Sequence, residues 1–405
     1  MSKAATAIRA PHMPHAFART DRSPLGVWWW TMDRWLLSAV LVLIMIGVGL
    51  SFAASPAAVT RFPNLSEPFY FAFRQSIFAV FGVGILLGAS MLSPKGVRRT
   101  AVIVYIIAIA IMILLPFIGG HHAKGATRWL SLGPFGTLQP SEFMKPALIV
   151  LVSWMFAEGQ KGQGVPGVTI AFVLYLLALG LLIPEKDFGQ SVLITIAFGV
   201  TFFMAGVPFV WIMGLGGVAA AGGVAVYFTS DHVASRIHRF FSPDAGDGSH
   251  QIKRAAAAIA NGGLTGVGPG EGVIKRTLPD MHTDFIYSVG AEELGLVFSL
   301  LLIAIFGFII LRGLSRSIKL ADPFEQIAVG GLFVLFGQQA FINIAVNLSL
   351  IPTKGMTLPF ISYGGSSMWA MCLTMGLALA LTRRRPGAYE QGPIRGGAFG
   401  VGKAA

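Results

Sequence analysis

The sequence predicts an all-α, polytopic membrane protein with ten transmembrane helices. Two observations carry that prediction. Hydrophobic residues make up 54% of the 405 residues and charged residues 12%, against roughly 25% charged in an ordinary soluble domain, and the mean hydropathy is +0.71. Ten segments also approach the ~20 apolar residues a helix needs to cross a bilayer. They lie near 35–54, 74–93, 101–118, 141–157, 165–183, 188–206, 208–229, 286–311, 327–351 and 362–382.

The first segment is too long and starts too late for a cleaved signal peptide, and no small-residue cleavage site follows it. It reads as a retained helix. Glycines such as those at 214–223 suit close helix packing. Residues 1–30 and 386–405 read as tails and 31–385 as one membrane domain, with a large loop at 230–285 between the seventh and eighth spans. No repeat of 20–50 residues is visible. The single cysteine, Cys372, excludes a disulfide framework, a cysteine zinc site and a CxxC redox pair.

Lys and Arg total 30 and Asp and Glu 18, a formal charge of +12. With the N-terminus inside, 17 basic residues fall on inner segments and 6 in the short outer loops (Arg61, Arg74, Lys124, Arg128, Lys186, Lys354). The 230–285 loop adds 6 more, and Lys145 sits at an outer helix end. The short loops set the orientation, so both termini are expected to be cytoplasmic. Twelve basic residues on the outer side are then either a solvated loop or the means of holding an anionic ligand, such as a lipid phosphate, at the outer surface.

The acids are uneven too. Glu142, Glu185, Asp187, Asp280, Asp284, Glu292 and Glu293 fall near outer helix ends, and none at the centre of a span. Ion-coupled transporters usually keep an ionisable group near the midplane, so this pattern favours chemistry at the surface. Gln338 and Gln339 sit mid-helix, where interhelical hydrogen bonding accounts for them.

Before the fourth span, Pro140 stops any earlier helix and Ser141 suits an N-cap. Glu142 favours the helix dipole and Lys145 opposes it. Three residues apart, the two form either a structural ion pair at a helix mouth or a phosphate-facing lysine beside its acid. The run from Gly262 to Gly272 fails as a nucleotide site: GxGxxG from Gly266 needs glycine at 271, where Glu271 stands, and there is no GKS or GKT. Its glycines suit positive-φ turns or close backbone approach. Asp244 and Asp247 miss calcium-loop spacing, and His121-His122 reads as plain loop. Asp284 stands where a polar loop meets an apolar helix. Desolvation would raise its pKa and nearby Lys and Arg lower it, as a general base requires. An N-cap is the other reading of the same position.

Five stretches resemble the SEDS family, the FtsW/RodA peptidoglycan polymerases: GATRW (125–129) with QPSEFMK (139–145), PEKDFG (184–189), Gly262 to Lys275, HTDFI (282–286) with AEELG (291–295), and LPFISYGGSS (358–367). The resemblance covers about residues 30–385, and the stretch RTDRSP (19–24) with Trp28-Trp29-Trp30 resembles the division branch more than its elongation-type sister. It implies a glycosyltransferase polymerising lipid II at the outer face of the inner membrane, at the division septum, with undecaprenyl pyrophosphate released. A lipid II flippase is the alternative proposed for the same family. It implies Asp284 as the catalytic carboxylate and as the ligand of a divalent cation, Mg or Mn, with no nucleotide. Arg128, Gln139, Ser141, Glu142, Lys145, Lys275, His282, Thr283, Ser362 and Ser366 match substrate-binding motif positions. The partners it implies are a single-pass class B penicillin-binding protein, the division transpeptidase, and other divisome membrane proteins, with no nucleic acid. Lys186 within the 184–189 turn, Asp280 and Met281 before HTDF, and Pro269 and Glu271 among the glycines depart from the family pattern.

The chemistry fits the surface charges. Joining an acceptor hydroxyl to an anomeric carbon that carries pyrophosphate requires one base for the hydroxyl proton. It also requires cations for the leaving phosphates.

Overall fold

The computed structural model describes residues 23–384, except 64, 119–120, 124–125, 132, 134–135, 163, 230–232, 236–237, 239–246 and 353–354. The side chains of His121 and His122, all of Lys124 and Lys354, and most of both tails therefore lie outside the described residues.

The chain is mostly helical: α1 (Pro24–Thr31), α2 (Arg34–Val59), α3 (Tyr70–Ser90), α4 (Pro94–Ile118), α5 (Pro140–Gln160), α6 (Gly167–Leu182), α7 (Phe188–Met204), α8 (Phe209–Thr229), α9 (Asp247–Gly262), α10 (Ile286–Ser317), α11 (Pro323–Asn347) and α12 (Gly365–Leu381). Five of these, α2, α3, α4, α10 and α11, contain stretches long and apolar enough to cross a membrane, and each apolar segment read from the sequence falls on a helix. The protein is a multi-pass membrane protein. Its outward faces are apolar, with Val80, Phe117 and Leu311 each more than two-thirds exposed. The interior is closed by Phe198, Phe202, Phe333 and Phe336. α11 lies at the centre, packed on α5, α7, α10 and α12.

Three features differ from the expectations. Residues 24–31 form α1 rather than tail: Ser23 accepts from the Gly26 amide at 3.0 Å, Pro24 opens the helix, and Trp28 Nε1 donates to Ser90 Oγ at 2.9 Å. Proline suits a first helical position because its missing N–H would have no partner there anyway. The same effect moves the start of α5. That helix begins at Pro140 with Gln139 as its cap residue, so Ser141 is buried inside the first turn and does not cap it. Between α4 and α5 the chain forms β1 (His121–Ala123), β2 (Ala126–Ser131) and β3 (Thr137–Leu138), an antiparallel sheet in the order β1-β2-β3. Strands this short carry too little alternation to read as strands.

The glycine run has a structural reason. Gly295 interrupts α10 with φ 78° and ψ −173°, which frees backbone groups on either side of the break. The run docks there. Val267 N donates to Glu292 O and Gly268 N to Glu293 O, both at 3.0 Å, while Leu296 N donates to Gly263 O at 2.9 Å. A Cβ on Gly266, which has φ +84°, would lie 2.1 Å from Glu293 O. The close backbone approach is to α10.

Candidate active site at the helix mouths

Asp284 ends the turn that leads into α10. That helix starts at Ile286, and its cap residue, Phe285, makes no side-chain cap bond, so Asp284 does not occupy the cap position. Its peptide is held firmly. Asn343 Nδ2 and Asn347 Nδ2 on α11 both donate to Asp284 O at 3.0 Å. Asn343 Nδ2 also donates to Met356 O at 2.6 Å, and Asn347 Oδ1 accepts from Ser288 Oγ at 2.7 Å. The side chain is half-buried, and its Oδ2 lies 3.5 Å from where a Cβ on Gly355 would stand.

The rest of the HTDF motif is tied to the 358–367 stretch. Ser362 Oγ donates to Thr283 O at 2.6 Å and accepts from Leu358 N at 2.7 Å. Tyr363 N donates to His282 O at 2.9 Å. Gln75 on α3 donates to Ser362 O at 3.1 Å. The His282 ring stacks on Phe71 with centroids 4.4 Å apart. Burial holds its pKa down to about 4, so the imidazole is neutral at neutral pH. Ser362, His282 and Thr283 thus converge on the loop that carries Asp284. Ser366 lies in the first turn of α12, next to Ser367, whose Oγ pairs with Thr357 Oγ1 at 2.6 Å.

A second cluster lies along the same face of α11. Lys145 Nζ sits 2.9 Å from Glu142 Oε2 and donates to Gln339 Oε1 at 3.1 Å. Gln190 Nε2 donates to Glu142 Oε1 at 2.6 Å. Lys145 is 1% exposed and Glu142 4%, so the buried ion pair is the arrangement formed. Gln339 continues to Thr357 O and Oγ1 at 3.3 Å. Gln339, Asn343 and Asn347 are spaced four apart and share one helix face, which joins the lysine cluster to the Asp284 peptide. The neighbouring Gln338 amide, expected to bond between helices, has no hydrogen-bond partner among the described residues.

Arg128, on β2, grips the turn between α6 and α7. Its Nε donates to Glu185 O and its Nη2 to Lys186 O, both at 2.7 Å. Its Nη1 lies 3.8 Å from Asp187 Oδ2, which Gln139 Nε2 also reaches at 3.2 Å. Burial and the nearby Asp187 carboxylate push Glu185 up to about 7 against the pull of Arg128. Burial likewise raises Asp187.

Lys275 is sealed in a third cluster. It forms a buried ion pair with Glu293 and donates to Ala53 O at 3.0 Å. The Glu292 carboxylate accepts the amides of Val273, Ile274 and Lys275 at 2.8–3.0 Å and the Asn261 amide at 3.0 Å. Exposed Arg61 lies beside this turn, with Nη2 donating to Arg276 O at 2.8 Å.

Among the described residues no group of three His, Cys, Asp or Glu could hold a metal ion. A Mg²⁺ that keeps its waters and binds through one or two carboxylates plus substrate phosphates remains compatible with Asp284.

The sequence model of the FTSW_RODA_SPOVE family, described as cell cycle proteins, matches residues 34–386. The chain belongs to this family. It is 64% identical over 395 residues to the "Probable peptidoglycan glycosyltransferase FtsW" of Caulobacter vibrioides (strain NA1000 / CB15N), covering 98% of this chain and 99% of that one. It is 33% identical over 365 residues to the protein of the same name from Geobacter sulfurreducens (strain DL-1 / KN400), covering 88% and 96%. Its fold is similar to a chain in a peptidoglycan synthase complex described as coordinating polymerization and crosslinking, with TM-score 0.72, 24% identity, and 87% and 98% coverage. It is also similar to the rod shape determining protein RodA of Thermus thermophilus, with TM-score 0.64, 24% identity, and 87% and 97% coverage.

In this member of the family, sequence reasoning missed Gln75, Gln190, Asn343 and Asn347. Asn343 and Asn347 carried a visible signal: two amides four apart near the end of an apolar helix need a polar partner. Gln75 and Gln190 gave none, because their partners lie 287 and 48 residues away.

Proposed function

We propose that this chain is a peptidoglycan glycosyltransferase of the division type. It polymerises lipid II at the outer face of the cytoplasmic membrane and releases undecaprenyl pyrophosphate. The observation that carries the reading is the Asp284 peptide, locked by Asn343 and Asn347 while the residue stays only partly buried at a helix mouth. Near full-length identity to a relative named for this activity supports it.

In the reaction, the Asp284 carboxylate takes the proton of the acceptor sugar hydroxyl. The oxygen forms a bond to the anomeric carbon of the donor, and the carbon–oxygen bond to pyrophosphate breaks, with its electron pair leaving on the phosphate. One base suffices and no covalent enzyme intermediate is needed. A divalent cation, Mg or Mn, held by Asp284 and the substrate phosphates would neutralise charge on the leaving group. Exposed Arg61 and Arg276 flank the same loop and supply positive charge there. Arg128, Lys145 and Lys275 are committed to protein partners, so we assign them, with Gln139, Ser141 and Glu142, to fixing the helix ends and turns around the site. Ser362 and the Tyr363 amide, bonded to the Thr283 and His282 carbonyls, hold the Asp284 loop against the 358–363 stretch that leads into α12, and Ser366 lies in the first turn of that helix.

We further propose ten membrane crossings, with both termini cytoplasmic and 230–285 outside, in a protein of the inner membrane at the division septum. Reporter fusions within 240–270 active only in the cytoplasm would overturn this topology. A class B penicillin-binding protein, the division transpeptidase, is the proposed partner within the divisome, since new strands need cross-linking. Co-purification from membranes tests it, and migration of this protein alone would count against it. The activity itself is tested with purified protein and labelled lipid II in detergent. Polymer formation supports the reading. Flipping in vesicles without polymer would support the flippase alternative.

A further inference from the structure

The ends of α2, α10 and α12 farthest from Asp284 enclose a separate polar cleft. A cavity of about 560 Å³ is lined there by Asp33, Arg34, Trp35, Arg312, Arg316 and Arg384, among others. A second, of about 450 Å³, shares Arg312, Arg316 and Arg384 and adds Lys319, Phe308 and Leu311. Five cationic side chains and a single carboxylate thus line the two adjoining cavities.

That carboxylate is fully used. Arg312 Nε lies 3.1 Å from both Asp33 oxygens, and Arg316 Nε 3.0 Å from Oδ2. Although Asp33 is partly desolvated, the hydrogen bond and charge of Arg312 and the charge of Arg316 hold its carboxyl below the usual range. It compensates one charge and leaves about four. Like charges crowded this closely repel, and an anion between them removes the repulsion. The rim is apolar, with Trp35 69%, Leu311 68% and Phe308 41% exposed. These residues sit toward the ends of helices long and apolar enough to cross a membrane.

We infer that this cleft binds the phosphate headgroup of an anionic phospholipid, with an acyl chain lying along Trp35, Phe308 and Leu311. Guanidinium groups can take phosphate oxygens bidentately, and basic pockets between membrane helices suit such headgroups. A soluble anion would use the same cations but gain nothing from the apolar rim. The positive-inside charge count therefore has a local structural use, distinct from orienting the chain.

The test is native mass spectrometry of the full-length protein in detergent, with dioleoyl phosphatidylglycerol and dioleoyl phosphatidylcholine added in equal amounts. Wild type should retain phosphatidylglycerol about tenfold over phosphatidylcholine. Lys319→Gln/Arg384→Gln, which leaves the Asp33 clamp intact, should lose most of that preference. Asp33→Asn removes the competing carboxylate and should retain phosphatidylglycerol at least as well as wild type. Equal retention of both lipids by wild type would overturn the proposal, as would an unchanged preference in Lys319→Gln/Arg384→Gln. Loss of lipid in Asp33→Asn to the level of that double variant would also refute it, since the cleft would then serve only as a structural clamp. Binding of inorganic phosphate with no lipid retained would assign the cluster to a soluble anion instead.

Discussion

Lys145 offers the sharpest test of how the candidate site is built. Lys145→Met removes a buried ammonium that bonds Glu142 at 2.9 Å and Gln339 at 3.1 Å. Glu142, 4% exposed in the wild type, then keeps Gln190 as its one side-chain donor among the described residues. Breaking a buried pair by removing one partner costs about 3–5 kcal/mol, because the surviving charge is uncompensated. The double variant Glu142→Gln/Lys145→Met removes both charges and should recover more than half of that loss. Thermal unfolding in detergent gives the stability, and polymerisation of labelled lipid II gives the activity. A positioning role predicts that activity falls with stability in Lys145→Met and returns in part in the double variant. Refutation would be a Lys145→Met protein that melts like wild type but polymerises poorly, with no rescue by the second substitution. Lys145 would then contact substrate phosphate directly.

Asp284→Asn should lose 10²–10⁴-fold in polymerisation rate, the usual worth of a general base, while the protein stays folded, since Asn keeps the side chain's shape. Near-normal polymerisation would move the role to Asp280. His282 is held neutral by burial, with its pKa at about 4 rather than 6.5. The unfolded chain therefore binds an extra proton between those values, and stability should fall by up to about 3 kcal/mol as pH drops from 6.5 to 4. His282→Phe should flatten that part of the melting profile, and an unchanged profile would count against it. Gly266→Ala places a methyl group against Glu293 O at positive φ and should cost at least ~1 kcal/mol. Faster limited proteolysis within 262–272 would report it, and wild-type resistance would refute the docking role of the glycine run.

The membrane helices were legible because a span is a local property: twenty apolar residues announce themselves wherever they pack. The short strands near 121–138 and helix α1 lacked that length. The glycine run was legible as a place of unusual backbone, but its target, the break at Gly295, was hidden inside an apparently continuous apolar segment. Asp284 could be singled out by its place at the polar–apolar boundary, while the amides that fix it came from α11, some sixty residues away in sequence. Lys145 and Lys275 show the limit most clearly. Near an outer boundary a lysine reads as a ligand for anions. Whether an acid on the protein satisfies it first depends on packing, and Glu142 and Glu293 do so here.

That division of labour among the cations follows from the chemistry. A buried lysine with a protein acid is already neutralised, so it cannot add much attraction for a pyrophosphate without giving up its partner, at a cost of several kcal/mol. Such a pair is better suited to fixing distances. Through Gln339, Asn343 and Asn347, one face of α11 connects the Glu142–Lys145 pair to the carbonyl of Asp284. Asp284, the proposed base, is thereby tied to the central helix, while Arg61 and Arg276 stay exposed on the loop side. A site that repeats one bond along a growing strand needs this combination: a fixed base for the hydroxyl proton, and exposed cations beside it for the leaving phosphates.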